Sequence, residues 1–320
     1  MASNLWDRTA EVGPGQLHQS LWRSSDGMSW DELGMPPQLS AVAQLLTASD
    51  GSYVAFGYQP TQDASSRLVA FQSADGTHWD EVKTGLARTT WVQAIERGPA
   101  GFLLVGGQTS ETGPTLWLSP DGLAWELVHD FKQTTHWIKI DDADGGEGGY
   151  VVIGQQIDQA DGDNRYEHFS FASADGRHWF NRSQPFGRQA QDFVPEALVS
   201  SFGPDWMATL TQDDGRTAIW FSANGLDWTQ RGSLVSAPFG TAGVFVELGT
   251  ELLLSPGNSF YEGTPGAWSS SDGITWQREE FGSEVWLGDI AQGGGLTVVT
   301  GTVNNANFSS AAGVWVKAAE

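Results

Sequence analysis

An all-β fold built from repeats is predicted by three features of this 320-residue chain. One seven-residue pattern, Ser-x-Asp-Gly-x-x-Trp, is written six times, and its key position moves from 26 to 75, 121, 175, 224 and 272. Short apolar runs recur at fixed offsets between the copies. The composition, with 40 Gly and 16 Trp, 39% hydrophobic and 17% charged residues, describes an ordered chain of strands and turns. A period near 50 residues holding several short strands marks a radial repeat, and four antiparallel strands per unit match the blade of a β-propeller.

The repeat from Trp91 to Val128 shows the elements most clearly. Trp91-Val92-Gln93-Ala94-Ile95 reads as a first strand, A, and Gly98-Pro99-Ala100-Gly101 as a turn by its Gly and Pro content. Phe102-Leu103-Leu104-Val105 is a continuous apolar run, suited to a strand B that is buried on both faces. Leu116-Trp117-Leu118 is strand C, and Trp125-Glu126-Leu127-Val128 is strand D, with the seven-residue box closing the C-to-D hairpin. B strands recur at Tyr53–Phe56, Tyr150–Ile153, Leu252–Leu254 and Leu296–Val299. C strands recur around Trp22, Phe71, Phe171, Trp220, Trp268 and Trp315. One domain over residues 1–320 is expected, its ring closed by N- and C-terminal strands. Seven blades are favoured over six, with Asn4-Leu5-Trp6 read as an A strand before Gly13-Pro14-Gly15.

Each box carries its own physical account. A turn of the Asp-Gly type needs positive φ at Gly, and the Asp carboxylate accepts backbone amides within the turn. Asp26, Asp75, Asp121, Asp175 and Asp272 hold that place, and Asn224 replaces them once. An uncharged amide at one copy points to local hydrogen bonding rather than to catalysis or metal binding. The box Trp is expected to pack between neighbouring sheets, with its indole N–H on a carbonyl.

The six stretches resemble the Asp-box, or BNR repeat, of sialidases, sortilin-type receptors and other propellers, in a form shortened by one residue between Asp and Gly. Ser119-Pro120-Asp121-Gly122-Leu123-Ala124-Trp125 is similar to repeats of exported bacterial proteins of unknown function. The resemblance implies a propeller whose boxes lie far from any active site, and an extracellular location. It implies little about function. The start Met1-Ala2-Ser3-Asn4 carries no basic and apolar leader pattern, and no apolar run is long enough to span a bilayer.

The net charge of -23 opposes nucleic acid and anionic membranes as partners, because such binders need a basic footprint. Zero Cys removes disulfides, thiolate metal sites and Cys nucleophiles. A monomer without cofactor is expected. Calcium is the one ion the sequence invites, at Asp142 and Asp144 or at Asp161 and Asp163, although both stretches also read as acidic turns.

By strand order, the A-to-B turns and the boxes share one face, leaving the B-to-C loops and D-to-A connections on the other. A carbohydrate or protein ligand site is expected on that second face. Trp91, Trp137 and Trp286 each begin an innermost strand there, beside Arg88, His136, Arg188, Asp192 and Glu284. Aromatic faces among charged groups suit stacking on a sugar or a peptide side chain, and equally suit packing of the channel wall. No catalytic set recurs, so a non-catalytic binding module leads. A sialidase-like glycoside hydrolase, with a carboxylate pair drawn from Asp192, Glu196, Asp205, Glu284 and Asp289, and an assembly scaffold are the alternatives.

Overall fold

The computed structural model describes residues 7–12, 21–36, 39, 41–60, 66–86, 91–107, 113–132, 136–160, 163–187, 196–211, 216–234, 244–248, 251–255, 267–279, 285–293, 295–304 and 310–318. These residues form strands and turns, with no helix among them. In chain order, β1 spans Asp7–Val12, and β2 (Leu21–Arg23) and β3 (Asp31–Leu33) form a hairpin. Three four-stranded sheets follow. They are β4 (Ala41–Thr47), β5 (Tyr53–Pro60), β6 (Ser66–Ser73) and β7 (Asp80–Val82); β8 (Trp91–Gly98), β9 (Gly101–Gly107), β10 (Pro114–Ser119) and β11 (Glu126–Asp130); and β12 (His136–Gly146), β13 (Gly149–Ala160), β14 (Asp163–Ser173) and β15 (Phe180–Ser183).

Two more complete the regular series, β16 (Ala197–Phe202), β17 (Asp205–Thr211), β18 (Thr217–Ser222) and β19 (Thr229–Leu234), then β20 (Val244–Leu248), β21 (Glu251–Ser255), β22 (Ala267–Ser270) and β23 (Gln277–Glu279). The last sheet joins β24 (Val285–Gly293), β25 (Leu296–Asn304) and β26 (Ser310–Ala318) to β1, in the order β1-β26-β25-β24. The fold is a β-propeller of six four-stranded antiparallel blades.

The expected seventh blade is corrected by this closure. β1 lies along β26, from Asp7 opposite Val316 to Val12 opposite Ala312, and serves as the outer strand of the last sheet, while Asn4-Leu5-Trp6, expected as an inner strand, lie outside the described residues. Among the described residues, the hairpin β2–β3 is a two-stranded sheet. Trp22, a C-strand Trp expected to be packed, is 48% exposed there. The other expected B and C strands lie where the sequence places them.

The core sits between successive sheets. The apolar B-strand runs supply its deepest residues, with Val54, Phe56, Leu103, Leu104, Val151 and Val152 at 0% exposure. One cluster joins Leu103 and Leu116 to Ile140, Val152 and Phe171 across the β8–β11 and β12–β15 sheets. Others repeat that arrangement for the neighbouring pairs.

The boxes set the spacing of these layers. In all six, Oδ1 of the Asp, or of Asn224, accepts the backbone amides two and three residues on, at 2.6–3.0 Å. The box Ser donates its hydroxyl to the same oxygen at 3.0–3.1 Å. Each box Trp donates its indole N–H to the box Gly carbonyl at 3.0–3.2 Å. Every box Gly has positive φ, between 66° and 84°.

Each box Gly also faces the preceding sheet with no room for a side chain. A Cβ on Gly225 would lie 2.3 Å from Val151, on Gly176 2.7 Å from Leu118, and on Gly122 2.9 Å from Leu46. Gly76 meets Leu33 of the hairpin in this way, and the hairpin's own Gly27 meets Leu296 and Val316 of the last sheet. The hairpin thus fills the interval between the β24–β26 and β4–β7 sheets.

Two measurements follow. Gly225→Ala combines left-handed strain of about 1 kcal/mol with overpacking of about 1–3 kcal/mol, so urea unfolding is expected to show a loss of about 2–4 kcal/mol. Gly51→Ala, where φ is +85° but nothing lies within 4 Å, is expected to lose only the strain.

The amides of Thr275 and Ile274 push Asp272 from its ordinary 3.8 down to about 2. Its ionised form is favoured on folding, so that contribution is complete above pH ~4 and is lost as pH falls toward 2. Urea titrations at pH 4.5, 3.5 and 2.5 are expected to show wild type above Asp272→Asn at the first pH and the gap closing at the last.

Candidate ligand face and inner-strand seam

The inner strands pack in sequence around the centre, β4 on β8, β8 on β12, β12 on β16, β16 on β20 and β20 on β24. Each ends in the turn that lies beside the boxes. A Cβ on Gly101 would strike Ser119 and Pro120 of its own sheet's box, and the Ser49 amide donates to the Asp121 carbonyl of the next one. The starts of the inner strands therefore lie on the opposite face.

Trp91 opens β8 opposite Gly107, two residues before Gln93, and Trp137 is the second residue of β12, opposite Ile157 and four residues before Asp141. Trp91 is half-buried, and its indole lies over Gly107, where a Cβ would come 2.5 Å from Nε1. Trp137 is 52% exposed. Trp286 stands in β24 opposite Thr302, and His136 opens β12, but both side chains lie outside the described residues. Arg88, Arg188, Asp192 and Glu284 also lie outside them. Of the eight expected ligand-site residues, the described side chains are Trp91 and Trp137, on adjacent inner strands.

What stands beside Trp137 was only partly legible. Alternation along β12 places Lys139 on the same side as Trp137, and Ile138 and Ile140 against the core. Lys139 pairs with Glu196, the residue before β16, and its Nζ lies 3.7 Å from Asp141 Oδ1. Asp141 has no exposed side-chain surface. It accepts Gln155 Nε2 at 2.9 and 3.0 Å and the Ala197 amide at 3.3 Å, with His168 Nε2 at 3.5 Å.

A bulge explains its reach. The register of β12 shifts between Ile140 and Asp142, as that of β8 shifts between Val92 and Ala94. The extra residue turns sideways toward the next inner strand. In β8 that residue is Gln93, which donates to the Ile140 carbonyl at 3.1 Å.

The stretch Asp141 to Gly146, expected as an acidic turn or part of a calcium loop, is strand. Asp142 Oδ2 accepts the Val199 amide at 2.9 Å, and Asp144 Oδ2 the Ser201 amide at 2.5 Å. Three carboxylates of β12 therefore take alternate amides along β16, at 197, 199 and 201, where a further strand would otherwise supply carbonyls. Among the described residues no group of three or more acids or His is placed to hold a metal. Asp161 lies outside the described residues, as does the Asp163 side chain.

Tyr side chains near this face serve the backbone. The Tyr58 hydroxyl accepts the Val92 amide at 3.1 Å. On the box face, the Tyr150 hydroxyl accepts the Ala100 amide at 3.1 Å and donates to the Gly101 carbonyl at 3.0 Å.

Asp141→Ala would leave Gln155 and the Ala197 amide without their acceptor, a loss expected at about 2–3 kcal/mol in thermal or urea unfolding. Lys139→Met, which removes a part-exposed ion pair, is expected to cost within about 1 kcal/mol.

No protein-family model matches the chain, and no curated protein matches it in sequence. Solved structures do match in shape. A Hadza microbial sialidase aligns at 18% identity and a TM-score of 0.51, over 80% of this chain and 62% of that one. The Trypanosoma rangeli sialidase in complex with the inhibitor DANA aligns at 12% identity and 0.52, over 96% of this chain and 59% of that one. The β-propeller domain of the Trilobed protease from Pyrococcus furiosus aligns at 10% identity and 0.57, over 88% and 83%. This chain spans less than two thirds of either sialidase. At such identities the likeness is one of fold, which sialidases and peptidases share with it.

Proposed function

We propose that this chain is a non-catalytic binding propeller of the Asp-box type, presenting a carbohydrate or protein ligand site on the face opposite the boxes. The observation that carries the reading is Trp137. Ten of the other Trp belong to boxes or to packed strands of the repeat, whereas Trp137 stands 52% exposed at the start of an inner strand. Trp91 begins the adjacent inner strand, and Lys139, paired with Glu196, stands on the same side of β12 as Trp137. An exposed indole flanked by fixed polar groups suits stacking on the apolar face of a sugar ring or on a peptide side chain, with hydrogen bonds at its rim.

A hydrolase reading has one specific observation in its favour, the two carboxylates Asp141 and Glu196 gathered on Lys139. It is the weaker reading, because Asp141 is buried and already accepts Gln155 and the Ala197 amide. The Tyr58 hydroxyl is likewise engaged with backbone.

A glycan array of wild type and Trp137→Ala, with pull-downs from secreted proteins alongside, tests the proposal. Loss of the stacked indole is expected to weaken the bound ligand about tenfold or more with unchanged thermal unfolding. Equal binding by both proteins would remove Trp137 from the site. Turnover of a glycoside by wild type that Glu196→Gln abolishes would favour the hydrolase.

A further inference from the structure

The seam between β12 and β16 holds buried acids that the proposed ligand site does not use. Asp142 and Asp144 each take a β16 amide, and Glu96 of β8 lies within hydrogen-bonding reach of the Asp144 carboxyl. The backbone of β8 closes over the same place, since a Cβ on Gly145 would sit 2.5 Å from the Arg97 carbonyl. The nearest cation on the strand, Lys139, engages Asp141 and Glu196 instead. Two carboxyl groups in hydrogen-bonding contact need a proton between them, and like charges out of water repel strongly.

We propose that the contact between β12 and β16 is a protonation-dependent latch, in which Asp142 and Asp144 hold the β16 amides as neutral acids and loosen the seam when their protons pass to solvent. Burial pushes Asp142 from 3.8 up to about 7, with Asp144 and Asp141 adding to the rise and the Val199 and Ala143 amides opposing it. Burial raises Asp144 as well. The closed seam thus binds a proton that the opened seam releases between pH ~4 and ~7. Its closing equilibrium is fully favourable at the acid end and falls as pH rises, by up to about tenfold per pH unit for one such group. Of the neighbouring groups, Glu96 from β8 meets Asp144 and Asp141 acts on Asp142, while Lys139 and His168 from β14 lie against Asp141 and Glu196, before β16, pairs with Lys139.

Asp142→Asn keeps a carbonyl acceptor for the Val199 amide and removes the titration. The measurement is amide hydrogen exchange at Val199 and Ser201, corrected for intrinsic rates, at pH 5, 6 and 7, in wild type, Asp142→Asn and Asp144→Asn. Protection in wild type is expected to fall about tenfold or more across this range, and by less than about threefold in Asp142→Asn. His78, held above its ordinary value by Asp75, and His129, held below it by burial, titrate near this window in all three proteins and cancel in the comparison. Asp144→Asn removes the other titrating carboxyl, so its fall is expected to be shallower than that of wild type, which tests the latch should Asp142→Asn not fold. A flat wild-type profile, or a slope kept in every variant that folds, would overturn the latch.

Discussion

The structure depends on a glycine that has to be a glycine for two reasons at once. In each box the chain must turn through positive φ, and the turn must lie flat against the preceding sheet. The first demand is local and the second is tertiary, yet one residue meets both. Around that point the Asp or Asn side chain gathers the turn's amides and the Trp indole closes on the Gly carbonyl, so the hairpin arrives at its neighbour already rigid. Apolar B strands then fill the space that the boxes hold open between sheets. Asn224 performs the same bonding without a charge, which is why hydrogen bonding, and not carboxylate chemistry, accounts for the repeat.

Closure obeys the same logic with a different solution. The outer strand of the last sheet comes from the N-terminus, so the chain's two ends are tied by a ladder from Asp7 to Val12. The cost falls on the first box, whose hairpin has no inner pair among the described residues and leaves Trp22 half-exposed. Its Gly27 still docks on the last sheet and its Leu33 on Gly76, which keeps the sequence of box-to-sheet contacts unbroken.

Toward the axis, polar groups take over from apolar ones. Inner strands of different sheets do not share a ladder, and their facing edges carry amides that need acceptors. At β12 the acceptors are Asp141, Asp142 and Asp144, and at β8 it is the bulged Gln93 that makes the crossing. The strand that carries this seam also carries Trp137 and Lys139 at its start. Stability and the candidate ligand face therefore meet on a single element.

Repeat period, box chemistry, B-strand runs and the division into a box face and an opposite face were legible from residues alone, because each rests on contacts within one unit of about 50 residues. The placement of Trp91 and Trp137 at inner-strand starts was legible for the same reason. Blade number was not, since a strand's partner across 300 residues leaves no local pattern in Asp7 to Val12. Nor was the role of Asp141 to Gly146. A run of Asp and Gly has turn composition, and only the amides of β16, brought alongside by the fold, make it a strand. Sequence by itself determined what each repeat would build; tertiary structure decided which edges met, because unpaired amides take acceptors from whatever strand packs beside them.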